Sequence, residues 1–368
     1  MRVGVVALTP TIELSSLGVD TNVFNEVENP KRDFTFTVSP GSDFWIRTER
    51  GLLSLNGRAD LVYFNQYESE RSVNGFGSAQ YEYRLNRVRP FASFSGLNTR
   101  ERPGFEIDAR ARRFENTVRL GVDVRVASKS LLEFSVRRQQ VDYAGDEVFG
   151  GQPLNQSLNR TLEAVDLAWR QRLTVLTTWL VRASGERERF EFTKARNGDS
   201  ARVQTGFELG QFALIRGSAF VGFRRLTSAD GGTLPEFQGV TADVNVSYVA
   251  PFQTRLSLQT VRDVAYSYEL ANPYYVQTGW TATLTQRLFG PWDFQLLGGR
   301  DGLAYEGVTL PSGDRRRDRV DRLGGGVGYQ IGSGVRLSFD VQSWQRQSER
   351  PGGDYRTLRA GFSGAYGF

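Results

Sequence analysis

A two-residue period running through most of the chain limits what it can fold into. In 113–126, Phe114, Val118, Leu120, Val122, Val124 and Val126 share one face, while Arg113, Glu115, Thr117, Arg119, Asp123 and Arg125 share the other. Successive side chains of a β-strand point to opposite sides, so this is a strand with one greasy and one charged face. In 238–249, Val240, Ala242, Val244, Val246 and Tyr248 oppose Thr241, Asp243, Asn245 and Ser247. In 334–349, Val335, Leu337, Phe339 and Val341 oppose Arg336, Ser338, Asp340 and Arg346.

About eighteen such segments can be traced, an even count of the kind outer-membrane barrels have. The first nine are 9–19, 33–48, 52–66, 72–85, 89–101, 113–126, 130–143, 159–171 and 173–190. The second nine are 200–212, 214–228, 238–249, 252–269, 274–288, 291–305, 319–331, 334–349 and 355–368. Their connections alternate in length. After even segments come tight turns such as Glu49-Arg50-Gly51, Ala127-Ser128-Lys129, Ala250-Pro251, Phe289-Gly290 and Gly332-Ser333. After odd segments the connections are mostly longer and polar, as at 20–32, 102–112, 144–158 and 306–318.

No window approaches the ~20 consecutive apolar residues of a spanning helix. The chain is 24% charged and 39% hydrophobic, as expected where only alternate residues meet lipid. A charge facing mid-bilayer lipid costs about 2–4 kcal/mol, so the charged faces must turn inward. The fold expected is all-β: a closed antiparallel transmembrane barrel with short periplasmic turns and longer outer loops. It takes residues 1–368 as one domain, with 1–8 as a periplasmic extension or added residues. The apolar run of Met1–Pro10 is too short for a signal peptide, so the chain reads as mature or truncated. Apolar-face aromatics gather near both strand ends, as interfacial girdles do. Tyr83, Trp169, Tyr248, Phe252, Trp292, Tyr329, Tyr366 and Phe368 fall by the short turns, and Phe34, Tyr63, Phe114, Tyr266 and Tyr268 by the long loops.

Cysteine and histidine are absent. Thiol chemistry, a Ser-His-Asp relay and a His-ligated metal are therefore excluded, and no cofactor is expected. The 46 basic residues include only three lysines, Lys31, Lys129 and Lys194, and the arginines are interleaved with 41 acids. No basic patch forms, so no nucleic-acid partner is expected.

The last strand, 355–368, alternates Leu358, Ala360, Phe362, Gly364, Tyr366 and Phe368 against Arg359, Gly361, Ser363, Ala365 and Gly367. It resembles the assembly signal of bacterial outer-membrane barrels. Near the start, Leu8-Thr9-Pro10-Thr11-Ile12-Glu13-Leu14 leads to Gly18-Val19-Asp20-Thr21-Asn22-Val23-Phe24. This Asp-x-Asn-x-Phe element after a first strand resembles the β-barrel porin-2 family. The resemblance implies an outer-membrane location and contact with lipid and lipopolysaccharide. It also implies export of exopolysaccharide with periplasmic polysaccharide-export proteins as partners. The residues alone indicate a pore, which leaves a diffusion porin or a non-conducting barrel as alternatives.

The candidate pore lining is the polar face. It comprises Arg58 and Asp60 in the third segment, and Arg119, Asp123 and Arg125 in the sixth. Glu133, Arg137, Asp166, Arg170, Arg182 and Arg216 follow, then Arg336, Asp340 and Arg359 near the end. Arginine pairs carboxylates through a planar fork, so this set can satisfy itself across strands. It can also give a polar path with a mild anion preference, or one along which sugars exchange partners. The third outer connection offers Phe105, Glu106, Asp108 and Arg110. It is either a solvated loop or, by resemblance to porins, an inward-folded constriction with Glu106 and Asp108 facing Arg110 and Arg112. The run Asp314–Arg319 reads as an outer loop, either solvated or meeting lipopolysaccharide phosphates.

Overall fold

The computed structural model describes residues 2–229, 231–250, 253–309, 315–332 and 334–367. Pro251, Phe252, Asp314, Ser333 and Phe368, which figure in the expectations above, lie outside them. Eighteen long strands form one antiparallel sheet. They are β1 (Val6–Asp20), β2 (Asp33–Arg47), β3 (Gly51–Phe64), β4 (Ser72–Tyr83), β5 (Val88–Glu101) and β6 (Ala111–Ala127). Next come β7 (Ser130–Tyr143), β8 (Arg160–Arg172), β9 (Thr177–Phe190), β10 (Gly198–Leu209), β11 (Ile215–Ser228) and β12 (Phe237–Ala250). The last six are β13 (Thr254–Tyr266), β14 (Tyr274–Arg287), β15 (Trp292–Thr309), β16 (Arg315–Ile331), β17 (Val335–Ser348) and β18 (Tyr355–Tyr366).

Each strand pairs with the next, and β18 returns to β1 from Ile12↔Tyr366 to Asp20↔Arg359, which closes the cylinder. Closure leaves no long free edge. A bulge between Leu14 and Leu17 bends β1 at the joint, where Ser16 takes φ +56°. A Cβ on Gly18 would lie 2.0 Å from the Ala360 carbonyl oxygen, so only glycine allows this approach. The extension expected over 1–8 is shorter than that: Val6 already pairs with Ile46, and Arg2–Val3 folds back on Val6–Ala7.

The period of two explains the two faces. Leu132, Phe134 and Val136 on β7 are exposed on the outside, as are Val165, Leu167 and Trp169 on β8. So many exposed apolar side chains require a lipid surround. By the short turns, Trp169 meets Trp179 at 5.1 Å and Trp292 meets Tyr329 at 4.9 Å. Phe34 and Phe114 are exposed at the opposite ends of their strands. Tyr266 and Tyr268 do not join that outer girdle. Tyr268 is 1% exposed beneath the loops, and Tyr266 packs edge-on to Phe190. The reason is that β13 stops pairing with β12 at Arg262↔Ala242, and its last residues turn in among the loops.

The long connections, numbered here as outer loops 1–9, follow the odd-numbered strands. Several pack over the mouth. Ile107 of loop 3 (102–110), Leu154 and Leu158 of a short helix in loop 4 (144–159) and Tyr268 of loop 7 (267–273) form one buried cluster with Ala111, Val141 and Tyr143. Arg196 in loop 5 (191–197) donates to the carbonyl of Ser157 at 2.6 Å and to those of Ser267 and Pro273. It thereby ties three loops with no carboxylate among these contacts. Burial holds its guanidinium down at about 10.

Candidate functional site: the lumen and the third outer loop

The inner face of the wall is a mosaic of ion pairs. Arg58 bonds Asp60 at 2.7 Å and lies 3.4 Å from Glu13. Glu133 is 3% exposed and takes Arg119 and Arg170 together. Arg89 reaches Asp123, and Arg137 lies 3.5 Å from Glu186. Arg336 forks onto Asp293 at 2.6 and 3.0 Å, and Arg359 donates to Asp20 at 2.9 Å. Asp340 accepts from Ser338 at 2.8 Å. Asp166 is buried opposite Ser135 and Ser184. The Arg182 Nε is buried without a partner. Arg216, opposite Ser247, and Arg125, near the short-turn end of β6, take no ion pair among the described residues.

Three glycines on β16 let the polar side chains of β17 lie flat. A Cβ on Gly324, Gly326 or Gly328 would meet Gln342 at 3.1 Å, Asp340 at 2.1 Å or Arg336 at 2.4 Å. These inward glycines preserve free space in the lumen.

Loop 3 crosses that space as a chord from β5–β6 to the far wall. Ser267 Oγ donates to Glu106 at 2.5 Å, and the Tyr268 amide donates to its other oxygen at 3.2 Å. Arg346 of β17 donates to the Glu106 carbonyl at 3.0 Å and to the Asp108 carboxylate at 2.5 Å. Its other nitrogen reaches Asp318 at 2.7 Å, which Arg316 also holds at 2.6 Å. Phe105 approaches Trp344 at 6.5 Å between ring centroids. At the near wall, Arg110 bonds Glu70 at 3.1 Å, and Arg102 donates to the carbonyls of Asp108 and Val23.

The internal pairing of Glu106 and Asp108 with Arg110 and Arg112 therefore does not form. The loop is stretched, so its acids reach partners on the opposite wall, while Arg112 is exposed and its amide is bonded to Glu147. Burial pushes the Glu106 carboxyl up to about 7, against the pull of its two donors. Burial also raises Asp108, to about 6, with Arg346 opposing. Arg102 is held down at about 10 by burial and by Arg110.

The chord partitions the lumen. A cavity of about 670 Å³ and a second of about 440 Å³ lie on its two sides, and Gly104 lines both. Glu13, Asp20, Asp60, Glu101 and Asp340 line the larger, against Arg58, Arg100, Arg102, Arg110 and Arg359. The two signs are equal there, so the arginine excess of the chain is neutralised locally.

The run 315–319 is not an outer loop. It opens β16, with Arg316 and Asp318 buried inside the mouth at 4% and 2% exposure. Inward positions there are charged, so the run lacks the apolar alternation that marks other strands.

The Asp-x-Asn-x-Phe element fastens the joint. The buried Asp20 carboxylate accepts from Thr357 Oγ1 at 2.8 Å and from the Asn22 amide at 3.0 Å, besides Arg359. Asn22 donates across the joint to the Arg356 carbonyl at 3.1 Å and accepts from the Glu26 amide at 2.9 Å. Asn22 is 1% exposed and Val23, which supplies the carbonyl that Arg102 binds, is 1% exposed.

These features define an outer-membrane barrel of the porin and channel class: lipid-facing outside, polar within, closed by its first and last strands. The chain belongs to the family described as Putative beta-barrel porin 2, which it matches over residues 1–363. Among solved structures it is similar to a BenF-like porin from Pseudomonas fluorescens Pf-5, with 9% identity, TM-score 0.54 and 98% of each chain covered. It is also similar to OccAB3 from Acinetobacter baumannii, with 10% identity, TM-score 0.52, and 98% of this chain and 99% of that one covered. At such identities the likeness is one of fold alone. No curated protein matches the chain.

Proposed function

We propose that this barrel conducts exopolysaccharide across the bacterial outer membrane. One observation carries the reading: the inner wall is polar along its length, yet most of its charges answer one another. A polyol can exchange hydrogen bonds along such a wall one at a time, without facing a net field. The pore-lining residues are the inward charged set from Arg58 to Arg359, paired and unpaired alike, and loop 3, through Phe105, Glu106, Asp108 and Arg110, is the constriction. A long polymer requires loop 3 to swing aside. Periplasmic polysaccharide-export proteins at the short-turn end are the partners the family resemblance implies. Outer-leaflet lipopolysaccharide is the partner of an outward row in which Arg138, Glu163, Arg187 and Asp199 stand side by side in register.

The test is deletion of the gene in the native bacterium. Loss of surface polymer with polymer synthesis and small-solute uptake intact supports the reading. Unchanged surface polymer with slowed small-solute entry supports a diffusion porin instead, which the docked loop 3 also favours.

A further inference from the structure

We propose that the larger lumenal cavity contains a subsite for a neutral pyranose unit, with Trp344 as its stacking surface. This rests on the polymer-conduit reading and names the chemistry of what is bound. The inward side chains of β17 are Arg336, Ser338, Asp340, Gln342, Trp344, Arg346 and Ser348, so one indole interrupts a wholly polar row. Trp344 is only partly covered and lines the cavity. The uncovered part of an indole in a wet lumen gains nothing from water on its apolar surface. The carbon-bound hydrogens of a sugar ring offer that surface a partner while the ring hydroxyls stay hydrogen-bonded.

The surroundings suit that partner. Arg322 and Arg359 place their guanidinium carbons 5.4 and 5.9 Å from the indole centroid, where each keeps its charge near the ring. Both are already paired, Arg322 with Asp301 and Arg359 with Asp20. An incoming anion would have to displace a carboxylate, whereas a neutral ring needs only single donors and acceptors. Gln342 and Asp340 supply these within the same lining. The cavity, about 670 Å³, lies in the range of small-ligand sites. The equality of charge around it argues against selection for ions of either sign.

The experiment is block of single-channel current in planar bilayers by short neutral glucan oligomers and, separately, by galacturonate oligomers of the same length. Wild-type protein should be blocked by the neutral oligomers and no more tightly by the charged ones. Trp344→Ala should raise the half-blocking concentration roughly fivefold or more, and Trp344→Phe should stay within about twofold of wild type. Sugar-free conductance of each variant verifies insertion of the folded barrel. If Trp344→Ala is blocked like wild type, the subsite is wrong and Trp344 merely anchors Phe105, while the conduit reading stands. If only the charged oligomers block, the ligand class is wrong. If neither blocks wild type, the subsite and the conduit reading fall together.

Discussion

Two ties span this molecule, and they are built differently. The wall is closed by Asp20, whose carboxylate is surrounded by a guanidinium, a hydroxyl and a backbone amide, and by Asn22 beside it. The lumen is crossed by loop 3, whose Glu106 carboxylate takes its hydrogen bonds from neutral donors, Ser267 and Tyr268. Asp108 has Arg346, but shares it with Asp318. A buried carboxylate facing a cation is stable as an ion, whereas one facing neutral donors in a dry site leans toward its protonated form. The first arrangement suits a joint that must never open. The second suits a contact whose strength can change.

The largest effect is expected at the wall. Asp20→Ala removes the acceptor of three donors and should cost about 3–5 kcal/mol, read as loss of barrel stability in urea titrations from lipid vesicles. Because β1 and β18 lie at opposite ends of the chain, the loss should appear as global unfolding, with every strand exchanging faster. Arg346→Ala should cost about 2–4 kcal/mol, but locally. Loop 3 should become open to trypsin after Arg110 while the strands stay protected. A global collapse in Arg346→Ala would erase the distinction between the two ties.

The pH response comes next. Burial holds Glu106 at about 7 and Asp108 at about 6, above the ordinary 4.5 and 3.8. The docked loop thus binds protons more tightly than the undocked loop. Its docking is strongest below the ordinary values and weakens as pH rises from there through about 6 for Asp108 and about 7 for Glu106, by up to roughly tenfold per unit for each group. Hydrogen exchange of 103–109, corrected for intrinsic rates, should therefore speed up between pH 5 and 8. Glu106→Gln should flatten most of that change. The smallest effect is expected at Arg262, which donates to the Val240 carbonyl at 3.2 Å and Thr278 at 2.6 Å where β12 and β13 part. Arg262→Ala should cost about 1 kcal/mol or less, detectable only as faster exchange of those two strand ends.

The wall was legible from sequence because lipid enforces its pattern: a charge on the wrong side of 113–126 is costly, so the alternation is clean there. The alternating connection lengths gave the closed topology without any long-range information. Loop 3 was less legible. Its residues Glu106, Asp108 and Arg110 could be picked out, but their partners Ser267, Arg346 and Glu70 lie far along the chain, and no local period links them. The run 315–319 resembles a loop for a related reason. Inside a mouth where loops and strands supply counter-charges, an inward face can be as charged as a loop, so polarity ceases to separate strand from connection. Asp20 and Asn22 carried a family resemblance, but their role as the clasp of the joint depends on Thr357 and Arg359 in the final strand. Tyr268 keeps the spacing of a girdle residue, but β13 ends at Tyr266, so the alternation no longer sets its direction.

Conduction of any solute requires an open polar lumen, and the proposed width of that path is set by loop 3. The most direct test is single-channel conductance of the wild-type barrel beside a variant in which 103–109 is replaced by a short glycine-serine link. The expected result is stable channels in both, with conductance several-fold larger in the shortened variant. Equal conductance would mean that the loop does not set the width of the path, and silence in both would mean that the lumen is not a path at all.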